Sequence, residues 1–61
     1  MMNSLHLLKD LRVLIVDDSA VVRSVLSKEL LRSGVNAVQA ENGRQAFNMA
    51  LAREFDLIIT D

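Results

Sequence analysis

Apolar and polar positions change period several times along the chain, and each change marks an element. Val13-Leu14-Ile15-Val16 is an unbroken run of leucine and β-branched side chains. Such a run suits a strand buried on both faces of a parallel sheet better than an alternating, half-exposed one. After Asp17-Asp18 the apolar residues recur as Val22, Val25, Leu26 and Leu30, while Arg23, Lys28, Glu29 and Arg32 fall mostly on the other side. That spacing predicts an amphipathic helix. Asp18 or Ser19 can cap its start by accepting an orphan backbone N–H, Arg32 sits in the last turn where the helix dipole favours a cation, and Gly34 supplies a left-handed stop. Ala37 to Ala40 predicts a short second strand and Asn42-Gly43 a turn. Ala46, Phe47, Ala50 and Leu51 form the narrow apolar stripe of a second helix running to about Arg53. Leu57-Ile58-Ile59 predicts a third strand, again apolar on consecutive residues and so expected to be buried on both faces.

Strands separated by helices must pair in parallel through right-handed crossovers, because a tight hairpin cannot join parallel neighbours. The expected fold is α/β: a βαβαβ half of a flavodoxin-like doubly wound parallel sheet, strand order 2-1-3. The first strand is then central, with one helix on each face. The direction of winding reverses between the carboxyl ends of strands 1 and 3, where open α/β sheets bind ligands.

Composition narrows the function classes. With no cysteine and a single histidine, His6, the 61 residues can build neither a disulfide framework nor a Cys/His metal site. A net charge of -1, with no like-charge run longer than Asp17-Asp18, carries no electrostatic footprint for nucleic acid. The longest strongly apolar run, Val13 to Val16, is far short of a membrane span, and the chain reads as cytoplasmic. Residues 1–11 form a leader in which Leu5, Leu7, Leu8 and Leu11 could make one apolar helical turn; His6 within it reads as an ordinary solvent-facing histidine. A domain of this size buries only roughly 60% of its unfolded surface, so a stable core calls for close packing, a partner, or more chain.

The candidate chemistry is carboxylate chemistry. Asp17 and Asp18 follow the first strand and Asp61 follows the third, so the expected topology brings three carboxylates to one crevice. Two carboxylates about 5 Å apart repel by roughly 3 kcal/mol at an effective dielectric near 20, so the site must take up protons or bind a cation. An all-oxygen site suits a hard cation, and a few carboxylates plus water suit Mg2+ meeting phosphate oxygens. A helix cap and a polar chain end would explain each aspartate singly. All three at the switch point of a doubly wound pattern favour a functional site. The strand-to-helix turn has no glycine, which rules out both the dinucleotide fingerprint and the Walker loop.

The run RVLIVDDSAVVRSVL, the turn AENGRQAF and the segment DLIITD together resemble the receiver domain of two-component response regulators, of the chemotaxis-regulator type. The resemblance covers residues 12–61. It implies that Asp61 is the phosphoacceptor, taking a phosphoryl group from a histidine kinase or phosphotransfer protein and forming an acyl phosphate. It further implies that Asp18 binds Mg2+ directly, that Asp17 orients water of its hydration shell, and that Asp61 is the third carboxylate of that metal site. Asn42-Gly43 and Ala46 resemble turn and packing positions of the family, with no chemistry expected there. The stretch reaches about halfway through a receiver. By the resemblance, a backbone carbonyl beyond Asp61, a Ser or Thr after a fourth strand and a Lys after a fifth would complete the site.

Two other function classes compete with a signalling module. One is a truncated, self-associating α/β fragment without a competent site, and mass spectrometry after treatment with a small phosphodonor separates it from a phosphoacceptor. The other is a phosphohydrolase with its nucleophile on strand 1, which resembles D-x-D chemistry and is weakened by Ser19 standing where a second aspartate is needed. The uncovered apolar edge expected at strand 3 predicts a homodimer.

Overall fold

A computed structural model describes residues 10–60, and the leader positions Leu5 to Leu8, His6 and Asp61 lie outside the described residues. The order of elements is β1 (Val13–Val16), α1 (Ala20–Arg32), β2 (Ala37–Ala40), α2 (Gly43–Ala52) and β3 (Leu57–Thr60). The three strands form one parallel sheet in the order β2-β1-β3. Val13 is in register with Ala37 and Leu57, and Val16 with Ala40 and Thr60, so all three strands end level with one another.

β1 is buried on both faces, as expected of the central strand: Val13, Leu14 and Ile15 are each no more than 1% exposed. Alternation along the strand sends Val13 and Ile15 to one face and Leu14 to the other. On the first face Val13 and Ile15 cluster with Val35, and Leu26 and Leu30 of α1 pack against them together with Leu11, Ala37 and Ile59. Leu14 lies outside that cluster, and α2 is the helix left to cover it along with Ala40. Each buried Leu or Ile on this strand contributes roughly 1.5–3 kcal/mol.

The helix ends are built as anticipated. Ser19 is the N-cap of α1, its Oγ accepting from the Val22 N–H at 3.2 Å, and Arg32 lies in the last turn. Gly34 follows at φ 85°, the left-handed conformation that a Cβ disfavours, and Val35 N then donates to Leu30 O at 3.0 Å. Asn42, expected only to turn the chain, is the N-cap of α2: its Oδ1 accepts from the Gln45 N–H at 2.9 Å while Gln45 Oε1 accepts from the Glu41 N–H at 2.8 Å. The reciprocal bonds form a variant of the capping box.

Three expectations about burial need correction. Val22 and Val25 are about half exposed rather than buried, and the side of α1 that meets the sheet is centred on Arg23, Leu26 and Leu30. On α2, Phe47 and Leu51 stand out in solvent and Ala46 and Met49 are half-buried. β3, expected to be buried on both faces, leaves Leu57 and Ile58 about half exposed, at 47% and 49%. The reason is common to all three: both helices lie over β1 and β2, and neither reaches across β3. Leu11 belongs to the core cluster rather than to a leader helix.

The amino end of the sheet is closed by a clamp. Asp56 accepts from the Arg12 N–H at 2.8 Å and takes the Arg12 guanidinium in a two-point ion pair at 3.1 Å, while Asp56 N and Leu57 N donate to Arg12 O. These hydrogen bonds hold the Asp56 carboxyl below its ordinary pKa and push the Arg12 guanidinium up. A depressed folded pKa means that the contribution of Asp56 to stability is fully present above the unfolded value, about 3.9, and disappears as the pH falls through the lower folded value. Both partners are well exposed, so the effect is modest. Asp56→Asn is therefore expected to lower the urea midpoint at neutral pH, with parent and variant converging as the solution is acidified through that window. An equal gap at every pH would show that the carboxylate charge plays no part.

Candidate functional site at the carboxyl ends of the strands

Because the strands end level, Asp17 after β1 and Glu41 after β2 gather with Thr60, the last residue of β3, at one edge of the sheet. Asp17 continues the ladder past β1, its N–H donating to Ala40 O at 3.2 Å. Val16, Asp17, Asp18, Glu41, Asn42 and Thr60 line a cavity of about 240 Å³ at this edge. A neighbouring groove of about 350 Å³ shares Val16, Asp17 and Thr60 and is walled by Val22, Leu26 and Ile59. Asp17 thus borders both cavities, while Asp18 lines only the one it shares with Glu41 and Asn42.

Asp17 and Asp18 are held in different ways. One carboxylate oxygen of Asp17 accepts from the Ser19 N–H at 2.8 Å, an Asx turn that leads the chain from strand to helix. The Asp17 carbonyl accepts from Arg23 Nη1 at 2.6 Å, and Arg23 Nε donates to Gln39 Oε1 at 3.2 Å. Asp18 is exposed, and among the described residues none bonds its carboxylate.

Of the three expected site residues, the structure brings Asp17 and Asp18 to the same cavity, and Asp61 lies outside the described residues, immediately after Thr60. Sequence reasoning did not point to Glu41, Thr60, Arg23 or Gln39, and it expected no chemistry at Asn42, which lines the cavity. Glu41 was within reach: it follows strand 2 as Asp17 follows strand 1, and parallel strands of equal length end side by side. Arg23 and Gln39 carry no comparable signal.

The family profile described as response regulator receiver domain matches residues 13–61. The chain belongs to the response regulator receiver domains. Over 52 residues this receiver is 44% identical to a protein-glutamate methylesterase/protein-glutamine glutaminase of Archaeoglobus fulgidus, covering 84% of the chain and 15% of that protein. It is 45% identical over 49 residues to the autoinducer 1 sensor kinase/phosphatase LuxN of Vibrio campbellii, covering 80% of the chain and 6% of the relative. The probable transcriptional regulatory protein SilR of Salmonella typhimurium is 35% identical over 51 residues, 84% of the chain and 22% of its own length. The receiver segment thus spans less than a quarter of each of these relatives. No solved structure matches the chain significantly.

The donor set of the receiver's cavity fits a hard divalent cation. Its ionisable lining is all carboxylate, from Asp17, Asp18 and Glu41, with the Asn42 and Thr60 side chains beside it. No three Asp, Glu, His or Cys side chains converge closely enough among the described residues to enclose an ion. One or two carboxylates completed by water and phosphate oxygens is the arrangement Mg2+ accepts. Among the described residues no helix is long and apolar enough to cross a membrane.

Proposed function

We propose that this receiver is a phosphoacceptor in which Asp61 takes a phosphoryl group from a phosphohistidine of a kinase or phosphotransfer protein, with Mg2+ held by Asp18, Asp17 and Asp61. The observation that supports the reading is the level ending of the strands, which brings the acidic pair after β1 to a cavity that Thr60 of β3 also lines. An Asp61 carboxylate oxygen attacks phosphorus; the P–N bond breaks, its electron pair returns to the imidazole, and an acyl phosphate remains on the aspartate. When bound, Mg2+ neutralises charge on the nucleophile and on the transferring oxygens. Asp17, with one oxygen engaged by the Ser19 N–H, keeps its second for orienting hydration water. Asp18, with no bond to a described residue, has its carboxylate available for direct ligation. Mass spectrometry after incubation with phosphoramidate and MgCl2 tests the reading: one phosphoryl group on Asp61 is expected, and an unmodified chain overturns it.

Metal linkage gives a second test. Crowded carboxylates destabilise the metal-free fold, and a cation that binds only the folded state stabilises it by mass action. MgCl2 is expected to raise the melting temperature. Asp18→Asn raises metal-free stability and removes most of the magnesium gain, because it deletes both a repulsive charge and a direct ligand. A variant that gains as much from MgCl2 as the parent places the metal elsewhere.

A second copy of the chain is the proposed partner at the β3 edge, where Leu57 and Ile58 are half exposed and, among the described residues, no strand pairs on the outer side. The likeness to LuxN, whose name includes a sensor kinase, supports phosphorelay as the setting.

A further inference from the structure

We infer that Arg23 is a positioning residue for metal binding, acting through the main chain between Asp17 and Asp18; the inference rests on the proposed Mg2+ role of that pair. The Arg23 guanidinium joins three elements. It projects from α1, donates through Nε to Gln39 on β2, and donates through Nη1 to the carbonyl of Asp17 just beyond β1. The side-chain faces agree with this bridge. Gln39 is in register with Ile15, whose side chain lies on the α1 face of the sheet.

The bond to the Asp17 carbonyl, 2.6 Å long, is the shortest of the side-chain hydrogen bonds at this end of the sheet. A guanidinium donating to a carbonyl forms a charge-assisted hydrogen bond, stronger than a neutral one. The carbonyl it holds belongs to the peptide plane that leads into Asp18. The Asp17 side is already fixed, by its N–H on Ala40 and its carboxylate on the Ser19 N–H. Asp18 has no such support: its carboxylate has no partner among the described residues, so its direction depends on the backbone that Arg23 anchors. A planar fork reaches two acceptors at once, and the single ammonium of a lysine cannot reproduce that geometry.

Charge and geometry predict opposite outcomes, which makes the inference testable. As a mere positive charge near two carboxylates, Arg23 would repel Mg2+, so its neutral replacement would bind the ion more tightly and lysine would behave as the parent. As an anchor, it is irreplaceable by lysine. Isothermal titration of the protein with MgCl2 is expected to show Arg23→Lys binding about tenfold more weakly, the usual scale for loss of a group that supports a ligand. In phosphoramidate labelling the variant needs correspondingly more MgCl2 to reach half-maximal rate and recovers the parent rate at saturation. Metal affinity unchanged in Arg23→Lys overturns the inference, as does a rate deficit that saturating MgCl2 leaves in place. Should Arg23→Lys fail to fold, Gln39→Ala decides, since it frees the other arm of the fork without altering charge: weaker Mg2+ binding supports the anchor and parental binding overturns it. Asp18→Asn in the same titration separates the two levels. If it leaves Mg2+ affinity intact, the metal role of the acidic pair is wrong; if it weakens binding and Arg23→Lys does not, only the role of Arg23 is wrong.

Discussion

Asp61→Asn is expected to abolish labelling by phosphoramidate and MgCl2 while leaving the fold intact. The chemistry requires this outcome, because an amide oxygen is a far weaker nucleophile than a carboxylate and forms no stable acyl phosphate. Stability should change little or improve. Asp61 directly follows β3 in the sequence, and the substitution exchanges a carboxylate for an amide of the same size, removing one negative charge. The measurement is intact-protein mass spectrometry with peptide mapping, together with circular dichroism to show that helix and strand content are retained. Labelling that persists at the parental level would falsify the assignment of the nucleophile. Labelling that moves to Asp17 would instead revive the strand-1 nucleophile of the phosphohydrolase reading.

How much of the molecule was legible in its sequence depends on how local each determinant is. The elements and the capping of α1 follow from short-range signals, an apolar run, a Ser before a helix, a Gly after it, and the strand order follows from the handedness of the crossovers between them. Asp17 and Asp18 were legible for the same reason, since a carboxylate directly behind a buried strand is placed by the strand itself. Periodicity puts Val22, Val25, Phe47 and Leu51 on the apolar stripes of their helices, and the fold leaves them exposed. Periodicity shows that a helix has an apolar side; whether a neighbour covers all of that side is decided by other elements. The Arg12 to Asp56 clamp joins residues 44 positions apart, and the Arg23 bridge joins α1 to a residue on β2. Arg23 sits on what a helical wheel draws as the polar side, and only the register of Gln39 beside Ile15 turns it toward the sheet.

Self-association is the expected state of the 61-residue chain, and β3 is where it should occur. Among the described residues the strand pairs with β1 alone, so its outer N–H and C=O groups face no other described strand. Its side chains add an apolar incentive: Leu57 and Ile58 are half exposed and, by alternation, face opposite sides of the sheet, with Phe47 and Leu51 of α2 also exposed. A two-fold axis at the edge satisfies these groups together. It sets β3 antiparallel to its copy, continues the sheet across the axis, and buries the same patch on both chains, so that each β3 edge is taken up by its copy. Light scattering coupled to size exclusion is expected to give the mass of a dimer at micromolar concentration. Ile58→Lys places a charge on the strand's exposed apolar face and should return the chain to monomer, because a buried lysine without a partner is costly and edge lysines block strand pairing. If the unmodified chain runs as a folded monomer, the edge is not an interface and the exposed residues of β3 are tolerated in water. If Ile58→Lys stays dimeric, the copies meet elsewhere, and the exposed flank of α1 at Val21 and Val25 becomes the surface to mutate next.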